Sequence, residues 1–364
     1  MRVLADGSAL TKPASGIGRV AAQTALHSHP DKAHITFACP KSVHAFYQND
    51  TLNVERSRPP ARNWHLTGLQ SILQTCQPDV FWGPAHRLPF GLPSSLATVV
   101  SVHDLVWKTH PETMRWRTWA SEHLQFKRAV LRADRIACVS QSTADDLIRF
   151  FPMTESKIRV VHPGASPAQK AIQKRPIEKP FILFVGTLEP RKNLARLLEA
   201  FAALPETLKA NFDLAIAGGT GWGGVHIASL IQRHKLENHT HVFASPDDTT
   251  LHQLYASCEF LAMPSLYEGF GLPIAEALQY GKPILTSCVS SMPEIAGNAG
   301  LYVDPRTTDA LKQNLRLLVE DVSVRETLAK KAVQEAKRFS WPASAVGMAN
   351  LFREAVVLKK KSRR

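Results

Sequence analysis

Short apolar segments alternate with amphipathic segments along most of this chain. Apolar residues that recur with a helical period predict helices such as Ile17–His27 and Trp116–Arg132. Uninterrupted apolar runs are typical of strands buried on both faces of a parallel sheet. The alternation therefore indicates an α/β fold. In the first half, the segments predicted as strands are Val3–Ala5, Ile35–Ala38, Val80–Trp82, Thr98–Val102, Arg135–Val139 and Ile158–Val161.

The alternation stops between residues 163 and 180 and then restarts. A polar, basic stretch with Pro163, Gly164, Pro167, Pro176 and Pro180 indicates a linker. The strands predicted after it are Phe181–Val185, Leu214–Ala217, His241–Phe243, Phe260–Met263, Ile284–Ser287 and Leu301–Val303, and the helices are Leu194–Leu204, Val225–His234, Thr250–Ser257, Pro273–Tyr280 and most of 309–358. A length of 364 residues also fits two domains. We therefore expect two doubly wound, Rossmann-like parallel-sheet domains that face a central cleft.

The composition changes this picture through its charge. The chain has 44 Lys and Arg against 31 Asp and Glu, a formal net charge of +13. Residues 1–165 carry 19 basic and 12 acidic residues, and the last six residues include five cations, namely Lys359, Lys360, Lys361, Arg363 and Arg364. Such a balance points to a polyanionic partner, which is a nucleic acid, an anionic membrane or a phosphorylated substrate.

Cysteine spacing and hydropathy limit the compartment. The five cysteines show neither a disulfide framework nor a zinc-site spacing, and most are expected to be small core residues. The start of the chain has no apolar stretch of signal-peptide length, and no window approaches the roughly 18 apolar residues of a membrane span. We expect a cytoplasmic protein, at most peripheral at the inner face of the cell membrane.

The segment from Pro264 to Leu278 is the most informative in the sequence. A predicted strand ends in a loop that contains Gly269 and Gly271, and Pro273 suits the first position of a following helix. Gly281 suits the C-terminal cap of that helix. A strand, a glycine loop and a helix N-terminus together form an anion site.

Two glutamates flank this expected anion site. Glu276 is assigned to the first turn of the helix, where an interaction with the helix dipole explains it equally well. Glu268 lies in the loop and has no such explanation. Because carboxylates accept hydrogen bonds from paired sugar hydroxyls, a phosphate site between them suits a sugar nucleotide.

Adjacent cations follow the first strand of the second half. Arg191 and Lys192 are predicted at the carboxyl edge of the sheet, where they can neutralise a diphosphate. The alternative is a solvated basic turn with Asn193 as the N-cap of the next helix.

Two further candidates lie in the first half. Gly16 and Gly18 match a dinucleotide-binding pattern, but no acidic residue follows the second predicted strand to hold a ribose, so contact with phosphate explains them as well. His103 follows a predicted strand and can orient or deprotonate a hydroxyl, or simply satisfy its own loop. No D-x-D, Walker or nucleophile-elbow motif is present, which favours a metal-free mechanism.

With these residues in place, the chain resembles the retaining glycosyltransferases of family 4, which have the GT-B fold. Glu268 and Glu276 are similar to the E-x7-E motif of that family, and Phe181–Asn193 resembles its V-G-x4-R-K-N segment. The segment Ser287–Asp304 resembles the stretch that follows. The resemblance is strong from residue 181 to 304 and diffuse before residue 97.

The resemblance implies domains and roles. Residues 1–167 would form an acceptor-binding domain and residues 178–342 a donor-binding domain, with a final helix over 343–364 packing back on the first. It further implies that Arg191 and Lys192 hold the donor diphosphate and that Glu276 binds ribose hydroxyls. Glu268 would hold the transferred sugar and phosphate together with the backbone of Phe270, Gly271 and Leu272. In the first domain, Gly16 and Gly18 would approach the diphosphate and His103 would lie beside the reacting sugar.

The implied activity is transfer of a hexose from a nucleoside diphosphate sugar to an acceptor hydroxyl with retention, and no cofactor or metal is expected. Similarity to bacterial polysaccharide mannosyltransferases favours GDP-mannose, with UDP-sugars second. Alternatives from other classes are a GT-B-type sugar-nucleotide epimerase, a glucan phosphorylase, a dinucleotide oxidoreductase and a basic nucleic-acid-binding protein without catalytic activity.

The basic first half suggests the acceptor. The segment from Met114 to Trp119 combines two cations with two tryptophans, a composition that suits an anionic lipid surface. The alternative is that these tryptophans pack inward while the cations are solvated. We expect a glycan or lipid-linked acceptor, an anionic membrane surface as a further partner of this segment and of the C-terminal tail, and no nucleic acid.

Overall fold

A computed structural model describes residues 1–12, 15–29, 32–56, 68–168, 175–219, 221 and 227–362. Its chain forms two compact units: the first comprises Met1–Leu105, Arg117–Gly164 and Ser340–Arg364, and the second comprises Val106–Trp116 and Ala165–Phe339. The chain thus passes between units at residues 164/165 and 339/340, and the segment Val106–Trp116 groups with the second unit although it lies inside the range 1–167. Part of the predicted linker lies outside the described residues.

The first unit is built on a parallel sheet. Within the described ranges its strands are β1 (Arg2–Asp6), β2 (His34–Cys39), β3 (Asn53–Arg56), β4 (Val80–Gly83), β5 (Ala97–Val102), β6 (Arg135–Cys138) and β7 (Ile158–Val160). Their order across the sheet is β3-β2-β1-β4-β5-β6-β7, and every pairing is parallel. The order reverses between β1 and β4, which makes their carboxyl ends a topological switch point.

The second unit repeats this architecture. Among its described residues the strands are β8 (Phe181–Val185), β9 (Asp213–Gly218), β10 (Thr240–Ala244), β11 (Phe260–Met263), β12 (Ile284–Ser287) and β13 (Gly300–Val303). They lie in the order β10-β9-β8-β11-β12-β13 and are all parallel. Here the order reverses between β8 and β11, so the loops after these two strands flank the switch point. The two sheets confirm the predicted fold class.

Helices cover the faces of both sheets. They are α1 (Gly16–Leu26), α2 (Gly68–Cys76), α3 (Val106–Thr109), α4 (Trp116–Arg132), α5 (Gln141–Phe150), α6 (Leu194–Ala202), α7 (Glu206–Lys209), α8 (Ile227–Arg233), α9 (Asp248–Ser257), α10 (Leu272–Gln279), α11 (Met292–Ala296), α12 (Thr308–Glu320), α13 (Val322–Ala336) and α14 (Trp341–Lys361). The helix predicted over Val225–His234 contains α8. The first two residues of the predicted helix, Val225 and His226, lie outside the described ranges. No helix in the described part of the chain is long and apolar enough to cross a membrane.

The last helix, α14, belongs to the first unit. Its Phe352 packs edge-on against Trp82 of β4, with ring centroids 5.6 Å apart. Lys359 Nζ lies 2.9 Å from Asp134 Oδ1, so this lysine is an internal ion-pair partner and not a solvated tail charge. Of the predicted basic tail, Arg363 and Arg364 lie outside the described residues. The expected membrane-binding charge of the tail therefore begins after Lys359.

Most cysteines lie where the composition suggested. Cys39, Cys138 and Cys258 are buried, Cys76 is half-buried and Cys288 is exposed, and all five are free thiols. Burial raises the pKa of Cys39 and of Cys258 to about 12, so both thiols stay protonated at neutral pH. The buried cysteines act as small core residues.

Candidate active site

The loop after β8 positions the two predicted cations. A short turn over Pro190–Lys192 is followed by Asn193, which has a left-handed backbone (φ +58°) that asparagine tolerates better than most residues. The Asn193 amide donates to the carbonyls of Pro264 (2.9 Å) and Pro305 (2.8 Å). Asn193 makes no side-chain capping bond; it ties the loops after β8, β11 and β13 together at one edge of the sheet.

Glu268 lies between Arg191 and Lys192. Its Oε1 accepts from Lys192 Nζ at 2.6 Å, and its Oε2 lies 2.9 Å from Arg191 Nη1. The backbone N–H of Glu268 donates to Ser290 Oγ at 3.0 Å. The structure thus brings together three of the predicted site residues from two loops that are 76 residues apart in sequence.

This arrangement keeps the Glu268 carboxylate ionised. Burial opposes ionisation, because the side chain is only 7% exposed, but the nearby charges of Arg191 and Lys192 outweigh it and lower the pKa of Glu268 to about 2. The residue is therefore an anion at every physiological pH. It can accept hydrogen bonds, and it is unsuited to act as a general acid.

A fourth charged residue, Glu189, completes the cluster and is missed by the sequence interpretation. It is buried and ion-pairs with Arg191 Nη2, while Arg191 Nη1 also donates to the carbonyl of Tyr267. Two cations and two carboxylates therefore balance. Since arginine has five N–H donors and lysine three, both can contact a phosphate oxygen and still hold their carboxylates. In the sequence, Glu189 could have been recognised as a partner of Arg191 because it lies two residues before it.

Helix α10 begins at this cluster. Gly271 is its N-cap with a left-handed backbone (φ +92°), Leu272 is the first helical residue and Pro273 the second, one position later than predicted. Ser291 Oγ lies 2.9 Å from the carbonyl oxygen of Glu268 and 3.0 Å from that of Phe270, so its one hydroxyl proton is shared between them and fixes the loop before the helix. Pro273 has no N–H and the Ile274 N–H donates to the Gly271 carbonyl at 2.9 Å, so Gly271 and Leu272 carry the backbone N–H groups that a phosphate at this end of α10 would contact.

Glu276 is the fifth residue of α10 and lies in its second turn, so the predicted first-turn position is wrong. The reason is that the helix starts before Pro273. Its Oε2 accepts a 2.7 Å hydrogen bond from the hydroxyl of Tyr255 on α9. At the other end of α10, Gly281 (φ +63°) donates to Leu278 and Lys282 donates to Ala277, the expected glycine cap.

His103 lies in the first unit, directly after β5. Its backbone N–H donates to His86 Nε2 at 2.8 Å, and its own Nε2 lies 2.7 Å from the carbonyl oxygen of Pro84. Because a carbonyl only accepts, His103 Nε2 carries the proton and Nδ1 is an acceptor. Burial and the neighbouring His86 lower the pKa of His103 to about 4. The side chain is therefore a neutral acceptor, which suits orientation of a hydroxyl better than its deprotonation.

His86 was missed by the sequence interpretation. Its backbone is left-handed (φ +60°), and its ring stacks on that of His103 with centroids 5.3 Å apart. Its Nδ1 lies 3.9 Å from Glu122 Oε2 on α4. No sequence signal identified His86, because the contact depends on how the loop after β4 turns back toward β5.

Gly16 and Gly18 form the start of α1, capped by Ser15, whose Oγ accepts from the Gly18 N–H at 3.1 Å. A Cβ on Gly18 would lie 2.3 Å from Tyr47 Oη, so close packing accounts for this glycine. Gly16 is exposed. Both are in the first unit with His103, whereas Arg191, Lys192, Glu268 and the start of α10 are in the second.

Across the described ranges, no three His, Cys, Asp or Glu side chains form a group that could hold a metal ion.

Comparisons with known proteins decide the family. The model named Glycosyltransferase Family 4 matches residues 14–169, and the model named Glycosyl transferases group 1 matches residues 166–335. The O-antigen chain mannosyltransferase B of Escherichia coli is 30% identical over 310 residues, which cover 82% of this chain and 79% of that protein. The chain belongs to glycosyltransferase family 4. This result confirms the resemblance drawn from Glu268, Glu276 and the Arg191-Lys192 pair.

Further relatives agree with this family 4 assignment. The serotype-specific mannosyltransferase WbdA of Escherichia coli is 27% identical over 276 residues, and the match spans 72% of this chain but 33% of that protein. The crystal structure of WaaG, a glycosyltransferase involved in lipopolysaccharide biosynthesis, superposes with a TM-score of 0.77 at 17% identity and covers 97% of this chain and 99% of WaaG. Anabaena HepE, solved with UDP and glucose, gives a TM-score of 0.74 at 19% identity, covering 96% and 98%. These structures confirm the GT-B fold of this glycosyltransferase.

Proposed function

We propose that this glycosyltransferase moves mannose from GDP-mannose to a hydroxyl of a glycan or lipid-linked acceptor in surface polysaccharide synthesis, with retention at the anomeric carbon and without a metal ion. The buried cluster of Arg191, Lys192 and Glu268 beside the N-terminus of α10 carries this proposal. The mannosyltransferase relatives, the first of them 30% identical, support the sugar.

In the proposed reaction, the second unit holds the donor. Arg191 and Lys192 bind the diphosphate and stabilise the charge that develops on it as the bond to the sugar breaks. Glu268 keeps both cations in place and accepts hydrogen bonds from the sugar. Glu276 accepts from the ribose hydroxyls, and the backbone of Phe270, Gly271 and Leu272 binds the phosphate at the start of α10.

In this proposal, the first unit binds the acceptor and also contributes residues that contact the donor. His103, held neutral with Nδ1 as an acceptor, orients a hydroxyl of the reacting sugar, and Gly16 and Gly18 allow the backbone to approach the diphosphate. The departing phosphate oxygen takes the proton of the acceptor hydroxyl. No side chain of this chain is required as a base, which agrees with a His103 pKa of about 4.

A thermal-shift screen of GDP-, UDP-, dTDP- and ADP-sugars tests the donor. We expect GDP-mannose at about 100 times its Kd to stabilise the donor-binding unit by about 2.7 kcal/mol, which raises Tm by roughly 5–10 °C. A larger Tm shift with a UDP-sugar would contradict the assignment of GDP-mannose as the donor. An absence of any sugar-nucleotide shift, with salt-dependent binding to DNA or RNA, would overturn the donor site itself.

Incubation without an acceptor separates transfer from epimerisation. An epimerase changes the sugar of its nucleotide donor when no acceptor is present, whereas a transferase leaves the donor sugar unchanged under the same conditions. Recovery of the unaltered donor by chromatography is the expected result.

The exposed face of α4 supports a membrane-bound acceptor. Trp116 is 72% exposed, Trp119 39% and Leu124 76%, so the alternative in which the tryptophans are buried does not hold for Trp116. The buried Phe126 and Val130 lie seven and eleven residues after Trp119 and so share its face of the helix, which is exposed at the start of α4 and buried further along. A helix with exposed aromatic residues among cations suits the interface of an anionic bilayer.

Vesicle flotation tests this membrane proposal. Wild-type protein is expected to float with phosphatidylglycerol vesicles, and Trp116→Ser/Trp119→Ser is expected to bind at least about tenfold more weakly, because both rings leave the interface. The matched control, Val322→Ser/Val333→Ser, removes two exposed apolar side chains from the second unit and is expected to float normally. Unchanged flotation of the tryptophan variant, or no binding by the wild type, would contradict the proposal.

A further inference from the structure

The side chain of Tyr255 occupies an unusual position for a phenol. It is 1% exposed, on α9, yet its hydroxyl contacts the carboxylate of Glu276 on the neighbouring helix at 2.7 Å. A buried hydroxyl requires a partner, whereas a phenylalanine would fill the same space without one. The hydroxyl of Tyr255 is therefore explained by its bond to the Glu276 carboxylate and not by packing of the core.

A second tyrosine braces the ring of Tyr255. The ring of Tyr280, at the C-terminal end of α10, lies parallel to it at 15°, with centroids 5.9 Å apart. The Tyr280 hydroxyl is hydrogen-bonded to His252 Nδ1 at 2.5 Å, and His252 is on α9 with Tyr255. The two stacked rings thus pack α9 against α10 beside the bond from Tyr255 to Glu276.

Glu276 has no capping role that would explain its orientation. Gly271 is the N-cap of α10, and Glu276 is four residues beyond the first helical residue. A free glutamate side chain has several rotamers, and ordering it when a ligand binds carries an entropic cost. A carboxylate accepts about four hydrogen bonds, so the bond from Tyr255 does not exhaust its capacity for a pair of hydroxyls.

We propose that Tyr255 is a positioning residue that pre-orients the Glu276 carboxylate for the two ribose hydroxyls of the donor nucleotide. This inference rests on the proposed function, in which Glu276 binds the ribose. Tyr255 itself touches no substrate. Its contribution is expected in donor affinity and KM, and not in the rate of the chemical step.

The test compares GDP with 2′,3′-dideoxy-GDP by calorimetry on Tyr255→Phe and on the wild type. Where the donor screen selects uridine, UDP and 2′,3′-dideoxy-UDP are the probes. The wild type is expected to bind the dideoxy form at least tenfold more weakly, because a hydrogen bond to a charged group is lost with each hydroxyl. Tyr255→Phe is expected to lose about tenfold for GDP and less than twofold for dideoxy-GDP, with KM raised and kcat nearly unchanged.

Tyr280→Phe is the matched control, since it removes the hydroxyl of the other ring in the stack and leaves the bond from Tyr255 to Glu276 in place. It is expected to keep the wild-type ratio of the two affinities. An equal loss of both ligands in Tyr255→Phe, or no loss of GDP affinity, would overturn the inference and leave the proposed function intact. Equal affinity of the wild type for GDP and dideoxy-GDP would instead overturn the ribose role of Glu276, and the inference with it.

Discussion

Glu268→Gln is expected to reduce sugar transfer by at least about 100-fold and to lower the free energy of unfolding by about 3–5 kcal/mol. Glutamine keeps the size of the side chain but removes the charge that balances Lys192 and one contact of Arg191. A buried ion pair that loses one partner leaves an uncompensated charge, so the variant loses stability as well as activity. Initial transfer rates and urea unfolding measure the two effects.

Glu335→Gln is the control for this prediction. Glu335 is also a buried carboxylate of the second unit, paired with Arg338 at 2.8 Å and accepting from the Asn298 N–H at 3.0 Å. Its replacement is expected to lower stability while leaving transfer close to wild type. Near-wild-type turnover in Glu268→Gln would contradict the assignment of the site.

Lys192→Met is expected to reduce transfer by about 10²–10³-fold, because the leaving diphosphate loses a cation that stabilises it. The variant is also destabilised, since Glu268 then keeps one of its two paired cations, Arg191. The double variant Lys192→Met/Glu268→Gln removes one buried charge of each sign and leaves the Arg191–Glu189 pair. It is expected to recover most of the lost stability in urea unfolding and none of the transfer activity.

Lys209→Met provides the comparison for the lysine change. Lys209 pairs with Glu206, a residue whose side chain is 76% exposed, and such pairs contribute about 0–1 kcal/mol. Its loss is expected to change neither stability nor transfer appreciably. Recovery of transfer in the double variant would contradict the proposed role of Lys192, because stability alone would then explain the loss in the single variant.

The buried strands could be predicted because their residues are apolar on both faces. Phe260–Met263 and Ile284–Ser287 have the predicted bounds in the structure. Strand β3 (Asn53–Arg56) was missed because it lies at the edge of its sheet, is mostly exposed and is rich in polar residues. Helix α2 was also missed.

The site could be predicted as a set of residues but not as a network. The sequence placed Arg191, Lys192 and Glu268 at the carboxyl edge of one sheet, and the structure joins them. Their pairing depends on the strand order that brings β8 beside β11, which no local pattern specifies. The same holds for Lys359, whose position in a basic run concealed its ion pair with Asp134.

The sequence misplaced Glu276 because it misplaced the first residue of α10. Proline is favoured at the first helical position, so the sequence placed the start of α10 at Pro273. The left-handed Gly271 lets the helix begin one residue earlier, which moves Glu276 into the second turn and toward Tyr255. A shift of one residue thus replaces the expected interaction with the helix dipole by a hydrogen bond from the Tyr255 hydroxyl.

The anomeric configuration of the product shows whether this enzyme transfers mannose with retention. Wild-type enzyme is given GDP-mannose, whose mannose is α-linked, and a glycan or lipid-linked acceptor, and the new linkage is assigned from the one-bond C–H coupling at the anomeric carbon by NMR. A transferase that holds the donor on Arg191, Lys192 and Glu268 and reacts with retention gives an α-linked mannoside and free GDP. A β-linked product, or release of GDP without a new glycosidic bond when acceptor is present, would contradict it.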